Sequence, residues 1–252
     1  MIFAFQPRIT RKQHKESLII PQSLNPLTIL PYNKSGIVFN VSLPVAYTFP
    51  AAIPSTLLQE LYNDVKIISS TITNCKKKVE DSRGTVKTFI LGHYLERGGT
   101  GNIHQSAFSK TELGQTILNK YKALWRIISE IARDVDTEFY TTLVHSIPDE
   151  YRMIGALSLF VCNLAPPKLV HKDVKDWKWC FVFIFGNVQQ SGVLLYYMNT
   201  YVQMQVGDVL VLRSDMVWHQ ADQSIVEDVD RFSGVITTHG GLLKRFNKEV
   251  KK

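Results

Sequence analysis

The second half of the chain constrains the fold most strongly. From about residue 153 the sequence divides into short segments that are apolar throughout or alternate between apolar and polar residues. Gly, Pro, Asn or Asp residues separate them, as expected for β-strands joined by turns. The segments are MIGALSLFVCNL, WKWCFVFIFG, GVLLYY, YVQMQ, GDVLVLR and RFSGVITT. This succession predicts packed β-sheets of the jelly-roll type.

The first half of the chain predicts helices that support these sheets. The segment STLLQELYNDVKIISS begins with Ser55 at a capping position and carries apolar residues along one helical face. Helical spacing of apolar residues predicts a second helix over roughly 110–134, and the segments GIVFNVSL and TVKTFILGHYL predict strands. We therefore expect an α+β fold in which N-terminal helices support a β core at about residues 153–240.

Length and composition favour one domain in an intracellular protein. The 252 residues predict a basic, irregular N-terminal arm over residues 1–35 with four prolines, a single domain over 36–246 and a basic tail over 247–252. No apolar run reaches the roughly 18 residues of a membrane span, and the N-terminus lacks the pattern of a secretory signal. Cys75, Cys162 and Cys180 are odd in number and widely spaced, which favours reduced thiols. We expect a monomer with no membrane association.

The positive charge is concentrated at the two ends. The formal net charge is +7, and residues 1–35 and 240–252 each carry +4, so the body between them is close to neutral. Basic ends of this kind either contact a polyanion such as nucleic acid or are simply solvated. The same two interpretations apply to Lys76, Lys77 and Lys78, in a segment that we expect to form a solvated hairpin or loop.

Two histidines and an aspartate in the β half predict a metal site. His171 and Asp173 are two positions apart just before a strand, and His219 follows 48 positions after His171. Two imidazoles and one carboxylate bind one face of an octahedral Fe(II) and leave the other face to a cosubstrate and O₂. Arg231, twelve positions after His219, can bind a carboxylate through two parallel hydrogen bonds, to which the Ser233 hydroxyl adds a third. This combination predicts a 2-oxoglutarate site.

These residues lie in segments that resemble a known enzyme family. The segments HKDVKDWKWCFVFIFG, VGDVLVLRSDMVWHQ and DRFSGVITTHGGLLKRF resemble the double-stranded β-helix core of Fe(II)/2-oxoglutarate dioxygenases. They are most similar to the TET/JBP branch of nucleic-acid base oxygenases and its fungal relatives. The clear resemblance covers about residues 153–246, and a looser one extends back to about residue 90. It implies a cupin-like core, with His171, Asp173 and His219 as the catalytic metal centre.

The resemblance also implies a substrate. Enzymes of the TET type hydrogen-bond a flipped cytosine through a polar residue three positions after the metal aspartate and a histidine eight positions after the arginine, where this chain has Asp176 and His239. The implied reaction is oxidation of 5-methylcytosine in DNA to 5-hydroxymethylcytosine, and onward to formyl and carboxyl forms, in the nucleus. Relatives often stack an aromatic residue, six positions after the arginine, on the base. This chain has Thr237 there, so stacking comes from elsewhere or the substrate differs.

Several assignments stay open at the level of the sequence. Asn163 and Arg97 are both candidates for contacting the C1 carboxylate of 2-oxoglutarate, and Arg97 could instead contact the phosphates of a nucleic acid. The substrate could instead be thymine, N6-methyladenine, a protein or a small molecule. A catalytically silent binding module is the third possibility, and the intact triad and arginine argue against it.

Overall fold

The computed structural model describes residues 2–5, 28–31, 34–40, 43–71, 79–81, 84–86, 88–95, 102–165, 169–188, 191–222 and 230–249. The helices within these ranges are α1 (Ser55–Thr71), α2 (Glu112–Lys120), α3 (Lys122–Val135), α4 (Thr137–Ser146) and α5 (Gly240–Glu249). The strands of the first half are β1 (Ile2–Phe5), β2 (Thr28–Leu30), β3 (Gly36–Asn40), β4 (Leu43–Phe49), β5 (Val79–Asp81), β6 (Gly84–Val86), β7 (Thr88–Leu95) and β8 (Ile103–Gln105). Those of the second half are β9 (Leu159–Asn163), β10 (Cys180–Gly186), β11 (Ser191–Leu195), β12 (Thr200–Met204), β13 (Val209–Leu212), β14 (His219–Ala221) and β15 (Arg231–Thr237).

Two facing sheets form the core. Among the described residues, the major sheet has nine strands in the order β1-β3-β4-β13-β10-β15-β9-β7-β8, and the minor sheet has four in the order β14-β11-β12-β2. Pairing is antiparallel except for β1 with β3 and β2 with β12. Non-consecutive strands thus lie side by side, as in jelly-roll folds. The predicted α+β class with a jelly-roll core is confirmed.

The central strand β10 is buried on both faces, which explains its continuous apolar sequence. Its alternate residues Phe181, Phe183 and Phe185 pack in the core between the major sheet and the helices. Cys180 and Ile184 point the other way, into a second core between the two sheets. Because side chains alternate along a strand, one run of apolar residues supplies both cores.

The helices cover the outer face of the major sheet. Helix α1 buries Leu58, Leu61, Val65 and Ile68, as its apolar pattern predicts. The predicted long helix over 110–134 is instead two helices, because the backbone leaves the helical conformation at Tyr121, where φ is −97° and ψ is 29°. The buried Tyr121 hydroxyl donates a hydrogen bond to the Asp64 carboxylate of α1 at 2.6 Å. The residue at which the helix is interrupted is therefore hydrogen-bonded to α1.

Other parts of the structure also differ from the sequence prediction. The segment predicted as one strand over 36–43 forms the antiparallel pair β3 and β4, which directs both Val38 and Val45 into the core. The arm predicted to be irregular contains β1 and β2, each of which joins a sheet.

Two helices also differ from the prediction. Helix α5 extends into the predicted basic tail, and α4 was not predicted. Asp136 caps α4 by accepting a hydrogen bond from the Phe139 amide. The predicted hairpin is present as the β5–β6 pair, whereas Lys76, Lys77 and Lys78 lie outside the described residues.

Two of the three cysteines are described, and both are buried free thiols. Burial raises the pKa of Cys162 and of Cys180 well above the ordinary value, so both stay protonated. Cys75 lies outside the described residues. Within the described part of the chain, no helix has both the length and the apolar character that crossing a bilayer requires.

Candidate functional site

The two sheets open at one end, where the three predicted metal ligands meet. His171 and His219 form an isolated β-bridge, with reciprocal backbone hydrogen bonds of 3.0 and 2.9 Å. The Asp173 amide donates to the Ser214 carbonyl at 2.9 Å, which holds the aspartate on the same side. Asp173 Oδ2 lies 4.0 Å from His171 Nε2 and 3.6 Å from His219 Nε2. Backbone pairing therefore brings together residues that are 48 positions apart.

Hydrogen bonds to the backbone fix the orientation of both imidazoles. His171 Nδ1 lies 2.8 Å from the Leu169 carbonyl, and His219 Nδ1 lies 3.0 Å from the Val217 carbonyl. A carbonyl only accepts, so each Nδ1 carries a proton, and in the neutral ring each Nε2 presents a lone pair on the side of Asp173. Metal-binding histidines are held in this way, with one nitrogen bound to the backbone and the other to the metal.

The triad fits an octahedral divalent metal that keeps open positions. The three ligand atoms lie within 4.8 Å of one another. Two neutral imidazoles and one carboxylate, all on one side, are the donor set that non-haem Fe(II) sites use. His171 and His219 are buried and Asp173 is half-buried, so a metal bound here would face the cavity between the sheets.

Arg231 forms a second polar centre inside the same opening. Its side chain is buried on β15, and its Nε donates a hydrogen bond of 2.6 Å to the Ser191 hydroxyl of the minor sheet. Among the described residues its Nη1 is buried without a hydrogen-bond partner. Burial lowers the pKa of Arg231 to about 10, against the opposing effect of Asp222 and Tyr201, so the guanidinium remains charged at neutral pH. A buried cation with an unsatisfied donor fits a ligand carboxylate.

Asn163 and Ser233 lie beside this arginine on neighbouring strands. The two residues face each other in the pairing of β9 with β15, and the Asn163 Nδ2 donates to the Ser233 hydroxyl at 3.2 Å. In the described structure the Asn163 Oδ1 is buried and has no hydrogen-bond partner. The region around Arg231 therefore offers several polar groups to a small, charged ligand.

Asp176 and His239, predicted to read a base, are directly opposite each other. They form an isolated β-bridge, flanked by hydrogen bonds from the Trp177 amide to the Thr238 carbonyl and from the Gly240 amide to the Lys175 carbonyl. The loop after the metal aspartate is thus paired with the turn before α5. The pairing explains how residues from two segments, predicted only from offsets in the sequence, come to share one surface.

The hydrogen bonds and the pKa shifts of Asp176 and His239 indicate which donor and acceptor groups the pair offers to a ligand. His239 Nδ1 accepts a hydrogen bond from the Gly241 amide at 3.1 Å, so the neutral ring carries its proton on Nε2. Burial and the nearby Lys175 lower the pKa of His239, which keeps it neutral near pH 7. Asp176 accepts a hydrogen bond from the Ser214 hydroxyl at 2.9 Å, and its pKa is raised by burial and by the neighbouring Asp173. The pair offers an N–H donor beside a carboxyl group.

One cavity of about 520 Å³ connects the metal ligands, the arginine and the Asp176–His239 pair. Eight of the nine predicted site residues line it: Asn163, His171, Asp173, Asp176, His219, Arg231, Ser233 and His239. The ninth, Arg97, lies outside the described residues. Their roles remain predictions, but the shared cavity is what those roles require.

Three residues of the site had no signal in the sequence. Ser191 contacts Arg231 from the opposite sheet, and Ser214 contacts Asp176 from the turn after β13. Tyr94 lines the cavity from the end of β7. None belongs to a motif with fixed spacing, since each reaches the site through pairing of distant strands. Only the tertiary structure brings them to the site.

Comparisons with known proteins support the fold. No protein-family model matches the chain, and a search of curated proteins finds no match. Among solved structures, NgTET1 in complex with 5mC DNA is similar, with a TM-score of 0.66 and 21% identity over 92% of this chain and 92% of that chain. JOX2 in complex with 2OG, Fe, and JA gives a TM-score of 0.47 and 13% identity over 94% of this chain and 85% of that chain. The similarity to NgTET1 extends over nearly the whole of both chains, so the fold that the sequence resemblance implied is confirmed.

Proposed function

We propose that this protein is an Fe(II)- and 2-oxoglutarate-dependent dioxygenase that oxidises the methyl group of 5-methylcytosine in DNA. The observation that carries the proposal is the shared cavity, in which the His–Asp–His triad, a buried arginine and the Asp176–His239 pair meet. The similarity to NgTET1, whose structure contains 5mC DNA, agrees with this substrate.

In this proposal the triad binds the metal, and the arginine binds the cosubstrate. His171, Asp173 and His219 would hold Fe(II), which together with 2-oxoglutarate activates O₂ for removal of hydrogen from a methyl group. Arg231 would bind the distal carboxylate of 2-oxoglutarate through its unsatisfied Nη1, with Ser233 as a further donor. Asn163 is the described candidate for the C1 carboxylate. Because Arg231 is buried and charged, it favours a dianionic cosubstrate over a neutral one.

The hydrogen-bonding pattern of Asp176 and His239 favours cytosine over thymine. An extruded cytosine presents an amino donor beside a ring-nitrogen acceptor, so Asp176 would accept from the amino group while His239 Nε2 donates to the ring nitrogen. Thymine presents a carbonyl acceptor beside a ring N–H donor. Its N–H would face the Nε2–H of His239, which leaves two donors opposed in a half-buried site.

The surface at the cavity mouth suits a nucleic acid. Lys172 and Lys175 line the opening beside Val174, which is 74% exposed. Lysines at an exposed edge attract the phosphate backbone without reading sequence. Duplex affinity should therefore fall as salt concentration rises, while discrimination between bases comes from inside the cavity.

The direct test is to incubate the protein with Fe(II), 2-oxoglutarate and duplexes that each carry one modified or natural base, and to quantify the nucleosides by mass spectrometry. We expect 5-hydroxymethylcytosine from the 5-methylcytosine duplex, with little product from duplexes carrying thymine or N6-methyladenine as the target. Asp173→Ala is the inactive control, and its metal content, measured by elemental analysis, should also be lost. Oxidation of another base, or of none, would contradict the assignment to cytosine.

A further inference from the structure

An extruded base needs an apolar surface in addition to its edge contacts. Leaving the duplex removes its stacking on neighbouring bases, and base-flipping enzymes replace that stacking with aromatic or apolar side chains. The position where relatives of the resembled family carry an aromatic residue is Thr237 in this chain. Among the described residues that line the cavity, Tyr94 is the one Phe, Tyr or Trp.

The end of β7 places Tyr94 at the cavity. Thr88, Ile90, Tyr94 and Leu95 line it, whereas Phe89 and Leu91 are buried in the core on the helix side of the same strand. Successive side chains point to opposite faces from Thr88 to Leu91. Gly92, with a φ of +107°, interrupts this alternation, and Tyr94 and Leu95 beyond it both line the cavity. Tyr94 is half-buried, as expected for a side chain at the edge of a cavity.

Strand pairing relates Tyr94 to Thr237. Thr237 on β15 pairs with Leu159 on β9, and Leu159 pairs in turn with Gly92 on β7. Thr237 and Gly92 therefore lie in one row across three strands, about 10 Å apart at the usual strand spacing, and Tyr94 follows two residues along β7. The small Thr237 leaves room on this surface for a ring that comes from the neighbouring edge.

The end of β7 also lies beside the histidine that would read the base. A Cβ atom placed on Gly241 would be 3.0 Å from both the Leu95 Cβ and the His239 Cε1. Leu95 and His239 thus approach each other across a glycine, and Tyr94 is the residue next to Leu95. A base held at its edge by His239 would have its face within reach of this strand end.

A neighbouring ring supports Tyr94. Tyr94 pairs with His104 in the register of β7 and β8. The two ring centroids are 6.3 Å apart, and the ring planes are inclined by 31°. A side chain already held by an adjacent ring loses less conformational freedom when a ligand stacks on it.

We infer that Tyr94 is the aromatic surface on which the extruded base stacks, and that it takes the place of an aromatic residue at position 237. This inference rests on the proposed function. Asp176 and His239 contact the edge of the base, and Tyr94 contacts its face. Because every base has a π-face, Tyr94 adds affinity, while Asp176 and His239 provide the discrimination between bases.

The inference is tested by binding measurements on two duplexes, one with a central 5-methylcytosine and one with an abasic analogue at that position. The protein is loaded with Fe(II) and 2-oxoglutarate and kept anaerobic, so that binding is measured without turnover. Stacking of one base is worth about a fivefold to a hundredfold in affinity. We expect Tyr94→Leu to weaken binding of the 5-methylcytosine duplex by that factor and to leave the abasic duplex unchanged, since that duplex has no base to stack.

Two further variants isolate the ring. Tyr94→Phe keeps the aromatic face and should bind both duplexes within about twofold of the parent, because stacking does not use the hydroxyl. Tyr196→Leu makes the same change at a tyrosine that does not line the cavity, and it should bind both duplexes like the parent. Urea unfolding of each variant checks that the fold is kept.

Each contrary result has a distinct meaning. If Tyr94→Leu weakens both duplexes equally, or neither, or if Tyr94→Phe loses as much affinity as Tyr94→Leu, base stacking on Tyr94 is refuted. His239→Ala serves as the test of the proposed function in the same experiment. If His239→Ala weakens binding of the 5-methylcytosine duplex alone and Tyr94→Leu does not, only the role of Tyr94 fails. If the parent binds the 5-methylcytosine duplex and the abasic duplex equally, the proposed function fails with it.

Discussion

At the scale of single residues, Arg231 shows how the site combines charge with shape. Its guanidinium is buried and donates through Nε to the neutral Ser191 hydroxyl, which positions the group without neutralising it. The fork geometry of arginine then leaves other donors in fixed directions for a carboxylate. A lysine ammonium has neither the fixed plane nor the second parallel hydrogen bond.

Arg231→Lys should therefore raise the 2-oxoglutarate concentration required for half-maximal turnover by about tenfold to a hundredfold, the cost of a lost hydrogen bond to a charged group. The variant should still bind Fe(II) stoichiometrically. Turnover measured as succinate formation against 2-oxoglutarate concentration checks the prediction. Arg213→Lys is the matched control, because Arg213 pairs with Asp215 and neither residue lines the cavity. An unchanged 2-oxoglutarate requirement for Arg231→Lys would contradict the assignment.

Asp176 and His239 can be tested independently of the cofactors. Replacing either by Ala should lower kcat/KM for 5-methylcytosine oxidation by about tenfold to a hundredfold, the usual worth of one good base-edge contact. Binding of Fe(II) and 2-oxoglutarate should persist in both. Asp176→Asn keeps a carbonyl acceptor and should retain more activity than Asp176→Ala. His145→Ala, on the exposed face of α4, is the control. Parent-like oxidation by both Ala variants would show that the base is read elsewhere.

At the scale of elements, β15 is important because it carries Arg231 and Ser233 and also packs against β10. Gly234 pairs with Phe183, and the Phe183 ring occupies the space that a Cβ on Gly234 would need. The ring in turn stacks parallel to Phe160, with centroids 6.4 Å apart. The absence of a side chain at Gly234 lets three aromatic-bearing strands approach closely behind the site.

Gly234→Ala should lower the free energy of unfolding by about 1–3 kcal/mol, because the added methyl group would lie 2.2 Å from the Phe183 Cζ. Urea unfolding checks this value. Gly240→Ala is the matched control, since the nearest atom to its added Cβ, the Lys175 carbonyl oxygen, is 3.4 Å away. Combining Gly234→Ala with Phe183→Leu should recover part of the loss, because the smaller side chain vacates that space. Additive losses in the double variant would refute the proposed clash.

The elements also show what a sequence determines locally. The pattern of α1 and the apolar run of β10 were predicted, because burial imposes a period of 3.6 or a continuous apolar stretch on the residues themselves. The helix break at Tyr121 was not predicted, since it depends on the tertiary hydrogen bond to Asp64. The strands β1 and β2 were missed for the same reason: they are stabilised by pairing with distant strands and have little amphipathic pattern of their own.

At the scale of the whole molecule, the site was predicted more fully than the topology. His171, Asp173, His219 and Arg231 have fixed order and chemistry, so motif spacing made them candidates, and the structure brings them to one cavity. Their roles stay predictions. Their meeting point, however, depends on bridges such as His171 with His219 and Asp176 with His239. Ser191 and Tyr94 were missed because nothing in the local sequence records which strand will face them.

Global stability should depend on pH through His93. Burial lowers the pKa of His93 in the folded protein below its ordinary value of 6.5. On acidification the unfolded chain takes up this proton first, so the free energy of unfolding falls as pH drops below about 6.5, until the folded pKa is passed. His93→Gln should therefore show a shallower loss of stability between about pH 7.5 and pH 5.5. Urea unfolding at both values tests this expectation, and equal slopes for parent and variant would exclude a contribution from His93.

Strand β7 carries residues that stabilise the core and other residues that shape the cavity. Phe89 and Leu91 belong to the core that supports the sheet, while Thr88, Ile90 and Tyr94 belong to the cavity wall. A substitution of a cavity-lining residue therefore alters which ligands the cavity accepts. A substitution of a core residue alters the stability of the sheet. Substitutions at the cavity-lining positions could therefore change substrate specificity during evolution without loss of fold stability. A mutant library restricted to Thr88, Ile90 and Tyr94 would retain folded members while it samples new cavity shapes.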